Sequence, residues 1–157
     1  MKEIRFFIRE EPYGFLSNFE RTGFEAESWG KKYWYPTNEH YYQSQKANCQ
    51  EVHDYILSAP HAVIAMVLGR QLEHNKYLKK YMKPDWVEKK DQVMLTGIRY
   101  KFSDKILARE LLNTDNAILH ENNPEDFYWG IGNGTGKSML GKLEMRVRDE
   151  IQQCEVN

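Results

Sequence analysis

The sequence predicts a helix-rich α+β fold with a few short strands, and three observations carry that prediction. Long stretches free of Pro repeat apolar residues at helical spacing. Only short runs are rich in β-branched and aromatic residues. The elements follow the order strand, loop, several helices, strand, loop, helix, which is not the alternation of a parallel βαβ sheet.

The elements follow in order. Residues 4–8 (IRFFI) read as an opening strand. Residues 10–34 read as loop, punctuated by Pro12, Gly14, Gly23 and Gly30, with a short strand around 32–35 at its end. Pro36 and Thr37 then announce a helix over 38–48, because the Thr hydroxyl can accept from the first free N–H groups. Further helices are expected at 51–58, at 60–68 with Pro60 in its first turn, and at 85–102. Ser103 or Asp104 caps the next helix, which runs to Leu112. A short strand follows at 117–121, then a glycine-rich loop at 130–136. The last helix carries Leu140, Leu143, Val147 and Ile151 on one stripe.

The chain has 157 residues, enough for one ordinary domain, and we expect 1–157 to form a single compact one. With 22 basic and 23 acidic side chains, the formal charge of −1 provides no global field for coating nucleic acid or an anionic membrane. No apolar run approaches the ~18 residues of a membrane helix, and the N-terminus has no signal-like apolar core. Cys49 and Cys154 begin no metal or CxxC spacing, so two free thiols and a cytoplasmic protein are expected. The five histidines form no HxH or HExxH pattern, and no metal site is expected. Lys76, Lys79, Lys80 and Lys83 read as a solvated face, with proximity to a phosphate-bearing or nucleic-acid substrate as the alternative.

Two constellations are candidates for chemistry. On a helix, Glu39, Gln43 and Lys46 fall at i, i+4 and i+7 and share a face. If apolar neighbours desolvate Lys46, its amine moves toward the nucleophilic free base. An ordinary solvated face with ion pairing fits the same spacing. The second is the segment 125–138, with four glycines in seven residues opening a helix whose N–H groups suit phosphate. It is not a Walker A loop, because the glycine that motif needs is replaced by Ile131. A glycine-rich surface turn is the alternative here.

Several blocks then occur together in a specific order: FLSNF (15–19), YPTNEHYYQSQKA (35–47), LGR (68–70), DWVEKKDQVM (85–94), KF (101–102), LLNT (111–114), DFYWGIG (126–132) and GTGKSMLGKLEMRVR (134–148). In this the chain resembles the YbiA-like, or NADAR, family over nearly its whole length. The resemblance implies a compact α+β domain and an N-glycosidase with no cofactor. Its substrates join ribose to an exocyclic amine: phosphorylated ribosylaminopyrimidines of early riboflavin synthesis, or ADP-ribose on guanine, with nucleic acid then the substrate's carrier. It further implies that Lys46, Glu39 and Asp126 are catalytic. Asn18, Tyr42, Gln43 and Trp129 would contact base or sugar, while Arg70 and the loop with Gly130, Gly134, Gly136 and Ser138 would hold phosphate. Two departures stand out: the family usually has Asn at the position of Ser138, and commonly Leu-Met where this chain has Glu144-Met145.

Two routes fit such substrates. Lys46 could attack the ring-opened sugar imine and hold the sugar as a Schiff base, with Asp126 or Glu39 moving protons. Alternatively, a carboxylate could activate water against an oxocarbenium-like centre, with Lys46 an electrostatic helper. A different class of reading is a binding module for ADP-ribose or a nucleotide, with the pocket but no turnover.

Overall fold

The structure, a computed structural model, describes residues 1–157. Its chain divides into two compact units: one from Met1–Glu20 with Lys101–Asn157, the other from Arg21–Tyr100. Together they contain six α-helices and four short strands, the helix-rich α+β composition that the sequence predicts.

In the first unit, β1 (Glu3–Phe6) pairs in parallel with β4 (Ile118–Glu121), with Ile4 opposite Leu119. Ile4, Phe6 and Leu119 are buried, so the alternation along these strands selects the inward face. Helix α6 (Met139–Val156) packs on β4. Gly141 permits that approach, since a methyl there would overlap the Leu119 carbonyl. The stripe of Leu140, Leu143 and Val147 is buried, as its spacing predicts. Helix α5 (Lys105–Leu112) is capped by Asp104, whose carboxylate accepts from Ile106 N at 2.9 Å and Leu107 N at 3.0 Å. Arg148 of α6 ties the chain after α5, donating to Thr114 Oγ1 at 2.8 Å and Ala117 O at 2.9 Å.

The second unit opens with a hairpin of β2 (Phe24–Ser28) and β3 (Lys31–Tyr35). Trp29 and Gly30 form its two-residue turn with φ of 54° and 74°, the left-handed pair that matches strand twist. Strand β2 corrects the reading of 10–34 as loop. Gly23 and Gly30 flank only six residues, and the alternation of Phe24 and Ala26 with Glu25 and Glu27 is too short to stand out. Helix α1 (Asn38–Ser44) is capped by Thr37, which accepts from His40 N at 3.1 Å. Phe24, Ala26, Tyr35 and Tyr41 then form one core cluster.

Helices α2 (Gln50–Leu57) and α3 (Ala62–His74) enclose a second cluster, of Ile56, Ala59, Ala65 and Leu72. Helix α4 (Trp86–Lys101) follows and belongs to this unit up to Tyr100. Two expected boundaries change. Helix α1 ends at Ser44, so Lys46 lies just past it. Helix α3 begins after its N-cap His61, leaving Pro60 outside, and runs through Gly69 to His74. No helix is long and apolar enough to cross a membrane.

Candidate active site around Lys46

The unit Arg21–Tyr100 places Glu39, Tyr42, Gln43 and Lys46 together with Arg70 and Glu73 of α3. The solvated-face alternative does not hold. Glu39, Tyr42 and Gln43 are buried, and Lys46 is only 2% exposed. Because α1 stops at Ser44, Lys46 sits in a tighter turn, its N–H donating to Gln43 O at 3.2 Å. Its carbonyl accepts from Lys83 N at 2.8 Å, and Ala47 forms a β-bridge with Met82. The backbone carrying the lysine is thus held on both sides.

The side chain enters an aromatic box. Lys46 Nζ lies 5.3 Å from the centre of the Tyr42 ring and 5.9 Å from that of Trp86, and the two rings are 5.2 Å apart. Their faces favour a cation there and exclude water. Nζ also forms an ion pair with Glu73, whose side chain is 33% exposed. Burial pushes the Lys46 amine below its ordinary pKa, Glu73 and then Glu39 oppose that shift, and Arg70 adds to it. The amine is therefore less basic than an ordinary lysine, with a partly exposed carboxylate beside it.

Glu39 is occupied differently. Its Oε1 accepts from Gln43 Nε2 at 2.6 Å, a charge-assisted bond along α1. Gln43 reaches this position because Gly69 of α3 lacks a side chain: a methyl at Gly69 would overlap Gln43 Oε1. The glycine inside α3 is explained by this close crossing of α1 and α3, which offsets its poor helix propensity.

A polar network steadies the end of α1. Asp54 accepts from His53 Nδ1–H at 2.8 Å, which leaves His53 Nε2 to accept from the Tyr35 hydroxyl at 2.8 Å. Tyr35 and Ser28 share a 2.7 Å bond, and Gln45, the residue before Lys46, donates to both. Burial lowers the His53 pKa, consistent with this neutral tautomer.

The other expected site residues lie in the unit of Met1–Glu20 and Lys101–Asn157. Asp126 Oδ1 accepts from Tyr128 N at 2.9 Å and Trp129 N at 2.8 Å, so this oxygen already shapes the loop. Trp129 is half-buried, edge-on to Tyr128. Asn18 is buried after the short 3-10 turn Gly14–Leu16.

The glycine loop departs from expectation. The amides of Gly134 and Gly136 both donate to Ile131 O, and those of Lys137, Ser138, Met139 and Leu140 donate to carbonyls of residues 127–130. The free N–H groups expected at the start of α6 are thus paired internally. Gly134, at φ 105°, needs glycine, and Gly136 passes too close to Gly130 O for a side chain. Ser138 holds a left-handed φ of 51° and bonds His120 Nδ1 at 3.2 Å.

Glu73 and Trp86 are the residues that sequence reasoning missed. Trp86 stands in a quoted block but has no signal of its own. Glu73 lies beyond the expected end of its helix at 68, although its placement one turn after Arg70 becomes evident once the helix is continued.

Comparisons with known proteins agree with this arrangement of blocks. The N-glycosidase YbiA of Escherichia coli is 35% identical over 150 residues, covering 94% of this chain and 88% of that protein. An N-glycosidase of Nostoc punctiforme is 36% identical over 154 residues, covering 95% and 92%. A riboflavin biosynthesis protein of Vibrio vulnificus is 33% identical over 152 residues, but the chain spans only 39% of its length. The NMR structure of E. coli YbiA superposes with a TM-score of 0.84 at 32% identity, covering 99% of this chain and 88% of that one. The NADAR domain model matches residues 6–152, and with its ordered blocks and its fold both accounted for, the chain belongs to the NADAR domain family.

Proposed function

We propose that this protein is an N-glycosidase that cleaves the bond between ribose and an exocyclic amine, acting through Lys46. The observation that carries the reading is a lysine 2% exposed, boxed by Tyr42 and Trp86 and paired with Glu73. Such burial favours an amine that reacts as free base. Relatives named as N-glycosidases support the reaction class.

The chemistry follows from the bond. A ribosylamine can open its sugar ring, leaving an imine at the anomeric carbon. The Lys46 amine adds to that carbon, and the exocyclic nitrogen takes up two protons, one of them from the adding amine. Its bond to carbon then breaks to release the base with its amino group restored. Water then hydrolyses the Lys46 Schiff base, returning the sugar aldehyde and the amine. The Tyr42 and Trp86 rings exclude other water from the amine, and Glu39 keeps a negative charge near the cationic intermediate. The substrate is a phosphorylated ribosylaminopyrimidine or ADP-ribosyl-guanine, and the family blocks carry the substrate-binding assignments of Asn18, Gln43, Arg70, Trp129 and Ser138, with Asp126 in proton transfer.

The test is product release, followed by LC–MS, from a ribosylaminopyrimidine phosphate and from an oligonucleotide carrying ADP-ribosyl-guanine. Cyanoborohydride should trap a sugar adduct on Lys46 during turnover. Turnover by Lys46→Ala at near the wild-type rate would rule out the imine route. Binding of both ligands without release would make the protein a reader.

A further inference from the structure

We propose that Glu73 is the proton partner of Lys46: it holds the ammonium at rest and takes up its proton when the amine attacks. This rests on the Lys46 imine reading above.

Glu73 is bonded to Lys46 Nζ. Glu39 also faces the amine, but its Oε1 is committed to Gln43 at 2.6 Å and the residue is 7% exposed. A carboxylate acting as base needs a free lone pair toward the proton and must shed that proton afterwards. Glu73, with a third of its side chain accessible, meets both needs. The other groups facing Lys46 are Arg70 on α3 and the rings of Tyr42 and Trp86. Arg70 carries no exchangeable lone pair, and the indole is a donor only.

The step balances without a further reactant. At rest the pair is Lys46 ammonium and Glu73 carboxylate. One proton moves from Nζ to Glu73, leaving a neutral amine and a carboxylic acid, and the amine's electron pair forms the new bond to the anomeric carbon. Glu73 delivers that proton to the exocyclic nitrogen. It takes a second from the now cationic Lys46 nitrogen and passes it on as the carbon–base bond breaks, leaving a protonated Lys46 Schiff base and the carboxylate. Hydrolysis of the Schiff base restores the ammonium and the carboxylate.

The experiment pairs a titration with kinetics on the full chain. The 13Cε resonance of Lys46 reports its protonation with or without substrate. In Glu73→Gln its midpoint should fall by about one pH unit or more, because an opposite charge at contact distance is removed. An unchanged midpoint overturns the proposal. In turnover, Glu73→Gln should lower kcat about a hundredfold near neutrality with KM within about twofold, and the rate should climb with pH as free amine accumulates. Formate should restore Glu73→Ala at least about tenfold. Wild-type kcat and pH profile in Glu73→Gln, or a loss that neither formate nor alkali repairs, overturns the relay. Failure of the Lys46 reading looks different: wild-type protein gives no trapped adduct, and Lys46→Ala still turns over.

Discussion

Each of the two units buries one lysine to the same degree. Lys46 and Lys101 are both 2% exposed, and burial pushes both amines down, Lys101 to about 8. What surrounds them differs. Lys46 has two aromatic faces and a partly exposed carboxylate through which a proton can pass to solvent. Lys101 donates to the Ser17 carbonyl at 2.9 Å, and the carboxyl group that acts on it most strongly is Glu144, itself fully buried. Depressed basicity alone therefore does not mark a reactive amine. Access to a partner that can exchange protons with solvent is the feature that sets Lys46 apart, and the proposed chemistry rests on it.

The largest expected effect separates the two lysines. Lys46→Ala should reduce turnover by at least about a thousandfold while leaving the melting temperature near that of wild type. Lys101→Met should leave kcat within about twofold and act on folding, because it removes a buried hydrogen bond of about 1 kcal/mol. Steady-state kinetics beside thermal melts decide the matter. Equal losses of kcat from folded forms of both variants would break the comparison.

Asp126 sharpens it. The oxygen that accepts from the Tyr128 and Trp129 amides needs only a lone pair, which an amide side chain also supplies. Asp126→Asn should therefore keep the loop and the stability, whereas Asp126→Ala should lose about 1–2 kcal/mol, as a lost cap does. If Asp126 also moves protons, Asp126→Asn drops kcat about a hundredfold at unchanged stability. A fully active Asp126→Asn confines this residue to shaping the loop.

Gly69→Ala comes next. Its methyl would displace Gln43 from Glu39, and overpacking of this kind costs about 1–3 kcal/mol. Activity should fall along with stability, since Glu39 loses its 2.6 Å partner. Denaturant melts and kcat measured together check this. A stable, active Gly69→Ala would mean that the Glu39–Gln43 bond is not needed.

These residues also show what the sequence can and cannot reveal. Caps and periodicity together find five of the six helices within a few residues, because a capping side chain and the spacing of apolar residues are both local information. The remaining helix, α3, is found only to its middle. Gly69 reads as a weak point until Gln43 is seen to occupy its missing side chain, and Glu73 is hidden with the turns beyond it. The Glu39, Gln43 and Lys46 row is legible as a motif, but its burial depends on α3 and α4, which no local pattern reports. The glycine loop misleads for the opposite reason. Its composition signals free amides, yet whether they are free depends on the carbonyls of 127–131 folding back over them.

The smallest expected effect concerns the carboxyl group that acts on Lys101. Both oxygens of Glu144 are buried without a hydrogen-bond partner, and burial holds its carboxyl well above the ordinary range, with Glu121 adding to the shift and Lys101 opposing it. A carboxyl raised in the folded state stays protonated there after it has ionised in the unfolded chain. Between those two pKa values the folded protein binds the extra proton, so this group's contribution to stability is full at acid pH and declines as pH rises. Glu144→Gln mimics the protonated form at every pH. It should match wild type near pH 4 and exceed it by a few degrees in melting temperature near neutrality. Because Lys101 is depressed toward 8, its own contribution runs the other way, gaining stability only as pH climbs from there toward its ordinary value, and so it does not obscure the acid-to-neutral slope. Parallel melting curves for Glu144→Gln and wild type across that range would show that Glu144 ionises in place, with the buried Lys101 ammonium as its true counter-ion. The contrast between the two lysines would then rest on solvent access alone.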